Sequence, residues 1–140
     1  MALILAASYD LEVLPRMAQA LELRRHSVVA TSTVNQALQW LEQTKEIPQL
    51  IIADVGLRAF GGLEFLQRLK TNQKWSAIQI LAQTKSNRSD IFELCGVVVN
   101  KPWSNTELIM AVDLILALNV PATLAKKVLI IPTHRGPRVA

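Results

Sequence analysis

Short apolar runs recur along this chain, and each is followed by a stretch whose apolar residues fall three and four positions apart. Leu3-Ile4-Leu5-Ala6-Ala7 is the first run, and Leu50-Ile51-Ile52-Ala53, closed at once by Asp54, is the most continuous. An unbroken apolar run of this length reads as a strand buried on both faces. Ser27-Val28-Val29-Ala30-Thr31 is a second strand, less apolar than the first; residues 78–82 give a fourth and Gly96-Val97-Val98-Val99 a fifth. Between them lie helical stripes. Leu14, Met17, Ala18 and Leu21 share one face, with Pro15 in the first turns and Arg24, Arg25 and His26 closing the helix. Val34, Ala37, Leu38 and Leu41 form a second stripe, opened by Thr33 and Gln36 at capping-box spacing. Gly62, Phe65, Leu66 and Leu69 form a third, residues 87–94 a short weak helix, and Leu108, Ala111, Val112 and Ile115 a last one behind a Ser104–Glu107 capping box.

Strand and helix alternate five times. That order predicts an α/β fold, a doubly wound five-stranded parallel sheet of flavodoxin-like (βα)5 type with helices on both faces and right-handed crossovers. The pattern covers residues 1–118. Residues 119–140 fall outside it, with Pro121, Pro132 and Pro137 discouraging a long helix. Within them Val128-Leu129-Ile130-Ile131 reads as an extra edge strand, a docked segment or a plain extension.

Composition narrows the function classes. The chain of 140 residues is 51% hydrophobic and 19% charged, a globular balance that suits one domain. Its net charge of +4 belongs to the tail: residues 114–140 carry Lys126, Lys127, Arg135 and Arg138 and no acid. The body is balanced and lacks the basic footprint of a nucleic-acid-binding domain. The single cysteine, Cys95, excludes an internal disulfide and suits a reducing compartment. No apolar run has the length needed to span a bilayer, and the first run is too short for a signal peptide. A cytoplasmic protein without membrane or nucleic-acid partners is the expectation.

An acid at the C-terminal end of a buried parallel strand stands where such sheets present their sites, which makes Asp54 the first candidate. With the five βα units, Ile52-Ala53-Asp54-Val55, Gly62-Leu63-Glu64-Phe65-Leu66 and Asn100-Lys101-Pro102-Trp103, the chain over about residues 3–117 resembles the receiver domain of bacterial response regulators. The resemblance implies a phosphoacceptor position at Asp54 and a phosphate-contacting lysine at Lys101. It also implies a pair of Mg²⁺-binding acids ending the first strand, and a hydroxyl residue ending the fourth. A phosphoryl group beside a carboxylate needs cations, which in the family come from metal and lysine.

This sequence departs from that kit. Ser8 and Tyr9 stand where the two metal-binding acids belong, with Asp10 one position late, and Gln83 holds the hydroxyl position. Val98 replaces the aromatic switch residue of the fifth strand, Arg58 and Gly61 alter the loop after Asp54, and the chain between Gln83 and Lys101 is short for the family. Mg²⁺ binding is expected to be weak or absent, since one carboxylate seldom holds it, and no cofactor is expected. Asp54 and Lys101 then read as an ion pair. Asp10 reads as a first-turn helix acid or as a displaced metal ligand; Tyr9 as a plug of the old site or a solvent-facing ring. Gln83 reads as a partner of Asp54 or Lys101, or as a surface amide. Trp103 is a partner-surface residue or merely a neighbour of the site, Cys95 is core packing, and His26 and His134 are surface residues.

The leading expectation is a non-enzymatic signalling module, an atypical receiver that acts through protein–protein contacts with a histidine kinase or an output protein, or as a homodimer. The alternative is a working phosphoacceptor, phosphorylated on Asp54 by a histidine kinase. A flavodoxin-type nucleotide or flavin module is a third reading; it lacks a Gly-rich cradle after the first strand.

Overall fold

A computed structural model describes residues 2–54, 62–84, 97–100, 104–118 and 129–131 of the chain. In order, the elements are β1 (Leu3–Ala7), α1 (Val13–Leu23), β2 (Ser27–Thr31), α2 (Val34–Gln43), β3 (Leu50–Asp54), α3 (Gly62–Thr71), β4 (Gln79–Thr84), β5 (Val97–Asn100), α4 (Asn105–Leu118) and β6 (Leu129–Ile131). All neighbouring strands pair in parallel, in the order β2-β1-β3-β4-β5-β6. The doubly wound parallel sheet is therefore as the pattern predicts, with one addition. Leu129–Ile131 extends the five strands to six by pairing with Val97, Val98 and Val99. The short helix expected at 87–94 lies outside the described residues.

Strand parity sorts the core into two layers, because successive side chains on a strand point to opposite faces. Leu5, Ala7, Ile51, Ala53, Ile80 and Ala82 face α2 and α3, and pack with Leu41, Phe65, Leu69 and Trp75. Ile4, Ala6, Leu50, Ile52 and Leu81 face α1 and α4, and pack with Met17, Leu21, Leu108 and Val112. β3 is buried at every residue, whereas edge strand β2 is half exposed, which is why the former reads as a continuous apolar run and the latter does not. Each large aliphatic or aromatic side chain removed from water contributes about 2 kcal/mol, so the central strands anchor both layers at once.

The helix ends follow sequence signals in most places. Thr33 Oγ1 accepts from the Gln36 amide at 3.0 Å, while Gln36 Oε1 reaches back to the Ser32 amide at 2.9 Å. Ser104 and Glu107 form the reciprocal box at the start of α4, at 3.1 and 2.7 Å. The end of α1 is different. Arg25 N–H donates to the Glu22 carbonyl and His26 N–H to the Leu21 carbonyl, and Arg25 has a φ of 70°. This is a Schellman turn with arginine in the left-handed position that glycine fills without steric cost. Arg24 turns instead to α4, where its Nη2 donates to Asp113 Oδ2 at 2.7 Å.

His26, expected on the surface, is half-buried by this turn. Its Nδ1 accepts from the Ala2 amide at 3.1 Å and ties the start of β1 to the end of α1. Burial first, then nearby positive charge including Arg24, lowers its pKa from the ordinary 6.5, against an opposing pull from Asp113. A histidine with a depressed folded-state pKa stabilises the fold above its unfolded value and loses that contribution as pH falls through the folded one.

Two outcomes follow from this corner. Arg25→Gly should stabilise the protein by about 0.5–1 kcal/mol, read from the shift of its urea midpoint. Urea stability should decline on acidification below about pH 6.5, and His26→Asn, which keeps an acceptor near Nδ1, should flatten that decline; an unchanged slope would remove His26 as its source.

Candidate functional site

The C-terminal ends of β1, β3 and β4 come together, and the register decides which residues meet. Ala7 pairs with Ala53, so Ser8 and Asp54 are the next residues along two adjacent parallel strands. Both share the parity of Ile4, Ala6, Leu50 and Ile52, the layer facing α1 and α4. Both are fully buried, at 0% exposure. Ser8 Oγ donates to Asp54 Oδ2 at 3.3 Å, long for an O–H···O bond and hence weak. Gln83 is the register partner of Asp54 on the other side, in β4, so the backbone brings three sequence-predicted positions side by side.

Ser8 is held from several directions. Its amide donates to the Thr31 carbonyl at 3.1 Å, and Thr31 Oγ1 donates to the Ala6 carbonyl at 3.3 Å. Its hydroxyl also accepts from the Asp10 amide at 3.1 Å. A serine hydroxyl both donates and accepts, and here it does both at once.

Asp10 is committed to α1. Its Oδ1 accepts from the amides of Glu12 and Val13 at 3.0 and 3.2 Å, and its carbonyl accepts from Leu14 N–H at 3.0 Å. These bonds close the turn at residues 11–12 that leads into α1, in the manner of an N-cap, and a carboxylate there also complements the helix dipole. Tyr9, of opposite strand parity, is half-buried and packs against the α2–α3 layer. Among the described residues no group of three or more His, Cys, Asp or Glu is placed to hold a metal ion. The oxygens gathered here, one carboxylate and one hydroxyl already hydrogen-bonded to it, are a poor match for the several hard ligands Mg²⁺ requires. Lys101, Trp103 and Cys95 lie outside the described residues.

The family resemblance groups Ser8, Asp54 and Gln83, and the sheet register sets their three backbone positions side by side. The resemblance did not reveal that Ser8 links Asp54 to the start of α1. The available signal was Ser8-Tyr9-Asp10 itself, a serine and an acid at the spacing of successive turns ahead of a helix.

Comparisons with known proteins place this geometry in context. The family model of the response regulator receiver domain matches residues 4–113. A protein from Chloroflexus aurantiacus named as a response regulator is 25% identical, with a TM-score of 0.73, and the match covers 83% of this chain and 98% of that one. The chemotaxis response regulator CheY4 of Vibrio cholerae has the same fold, at 18% identity and a TM-score of 0.72 over 82% of this chain and 98% of its own. NtrX from Brucella abortus, in complex with ADP, also shares the fold, at 18% identity and a TM-score of 0.73; 84% of this chain matches 27% of that longer protein. No curated protein matches in sequence.

If Asp10 serves α1 as its cap, Asp10→Asn should change stability by only a few tenths of a kcal/mol, and Asp10→Ala should cost about 1 kcal/mol. Urea denaturation of the two variants beside the parent measures the difference.

Proposed function

The chain belongs to the response regulator receiver domain family, and on that premise we propose that it is an atypical receiver: a signalling module that works by protein–protein contact and takes up phosphate poorly if at all. The observation that carries this reading is the bond between Ser8 and Asp54. A neutral hydroxyl stands beside the acid where the resemblance calls for a metal-binding carboxylate, and the next acid, Asp10, is engaged by two helix amides. Transfer of a phosphoryl group to Asp54 would add negative charge in a buried site, and without a divalent cation that charge lacks its main counterweight. Lys101 would be the remaining cation, paired with Asp54 and fixing the loops in one state, with Gln83 supplying an amide where the family uses a hydroxyl.

Partners would be a histidine kinase or an output protein, or a second copy of this chain, in the reducing cytoplasm that a single cysteine suits. Among the described residues no helix is long and apolar enough to cross a membrane. The alternative, a working phosphoacceptor, is favoured by the retention of Asp54 at the end of a fully buried β3.

Mg²⁺ dependence separates the two. Addition of Mg²⁺ with beryllofluoride or a small phosphodonor should leave tryptophan fluorescence unchanged and give no shifted band on a phosphate-affinity gel. Saturable, Mg²⁺-dependent modification abolished by Asp54→Asn would establish the alternative instead. Ser8→Asp, which sets a second carboxylate beside the first, should raise Mg²⁺ affinity by about tenfold or more, measured by titration calorimetry.

A further inference from the structure

We propose that Ser8 is the positioning residue through which helix α1 senses the state of Asp54. This rests on the reading that Asp54 is where the state of the module is set, and adds the route by which that state leaves the site. The route is a continuous chain of hydrogen bonds. Asp54 Oδ2 accepts from Ser8 Oγ at 3.3 Å, Ser8 Oγ accepts from the Asp10 amide at 3.1 Å, and Asp10 Oδ1 accepts from the amides of Glu12, just ahead of α1, and Val13, its first residue, at 3.0 and 3.2 Å. The first link joins residues 46 positions apart in sequence, and the others are local, within the turn that leads into α1.

Serine suits this role better than the alternatives. Alanine can neither donate nor accept. An aspartate at position 8 could accept from the Asp10 amide, but when ionised it could not donate to Asp54 and would add like charge in a buried place. The hydroxyl proton lies toward Asp54 because the backbone N–H of Asp10 occupies the other side of the oxygen. Any change that neutralises Asp54 or draws its carboxylate elsewhere weakens the hydroxyl's donation, frees the hydroxyl to turn, and so loosens the Asp10 amide and the cap it leads into. The first link is long, and a weak bond in a low-dielectric site is the one whose geometry responds most to a change in charge.

The far end of the route is also connected. α1 packs with α4 in one layer through Met17, Leu21, Leu108 and Val112, and Arg24 on α1 is ion-paired with Asp113 on α4 at 2.7 Å. A change in the first turn of α1 therefore acts on an element that borders a second helix surface, on a path that uses neither Gln83 in β4 nor Val98 in β5.

The test is amide hydrogen exchange by NMR on the full chain, without Mg²⁺ or phosphodonor, at Glu12, Val13 and Leu14. It compares the parent, Asp54→Asn, Ser8→Ala and the double variant. Asp54→Asn should speed exchange at these amides by about fivefold or more when Ser8 is present, and by less than about twofold when it is absent. The caps of α2 and α4, read at the Gln36 and Glu107 amides, should not respond to either change. Ser8→Cys keeps the side-chain size with a much weaker donor; it should decouple the two sites as alanine does, and serves if the alanine variant does not fold. Equal effects of Asp54→Asn with and without the Ser8 hydroxyl would overturn the proposal, as would no effect in either background. Because no phosphodonor is present, failure of the relay and failure of the proposed function register in separate experiments.

Discussion

Pairing Ala7 with Ala53 in a parallel ladder leaves Ser8 and Asp54 as the next residues on one face of two adjacent strands, and most of the site follows from that register. A shift of one residue would carry Asp54 into the predominantly apolar layer lined by Leu5, Ile51 and Phe65, where burying a carboxylate is costly. The register is fixed in turn by burial. β3 is enclosed on both faces, and its one polar residue, Asp54, lies on the face where Ser8 offers a hydroxyl.

Burial also determines what kind of neighbour Asp54 requires. A fully buried carboxylate needs hydrogen bonds from groups that were themselves desolvated at little cost. A serine hydroxyl meets this condition better than a second acid, which would have to be neutralised by a metal. With a hydroxyl at the end of β1, Asp54 becomes part of a polar network that the backbone leading into α1 completes. Asp10 belongs to the same network. Its carboxylate is spent on the amides of Glu12 and Val13, where the chain enters α1.

The central strands were legible because burial on both faces writes itself into sequence as an unbroken apolar run, and Leu50-Ile51-Ile52-Ala53-Asp54 is the plainest example. The helix starts at Thr33 and Ser104 were legible because capping boxes are local. What was not legible depends on contacts between residues distant in sequence, or on a residue type that hides its conformation. Ser8 and Asp54 meet only through strand pairing. His26 is recruited by Ala2 across 24 positions, which no metal-ligand spacing would suggest. Arg25 adopts a left-handed conformation without the glycine that would have signalled it. Trp75 falls in none of the helical stripes or strand runs, yet it is 3% exposed in the α2–α3 layer. The apolar run near residue 130 was visible, but its pairing with β5 belongs to the sheet and not to the run.

That last strand changes which backbone lies at one side of the sheet. In a five-stranded sheet the backbone of Val97–Asn100 would be an open template for any extended peptide. Here three of its positions are taken by Leu129–Ile131 of the same chain, joined to α4 by a connection of ten residues, 119–128. A segment tethered this closely competes as though present at about millimolar concentration. An incoming strand at micromolar levels would have to bind the edge about a thousandfold more tightly than the resident one to displace it. Residues 129–131 therefore occupy this side of β5, and a strand partner for β5 has to displace them or pair with β6 instead.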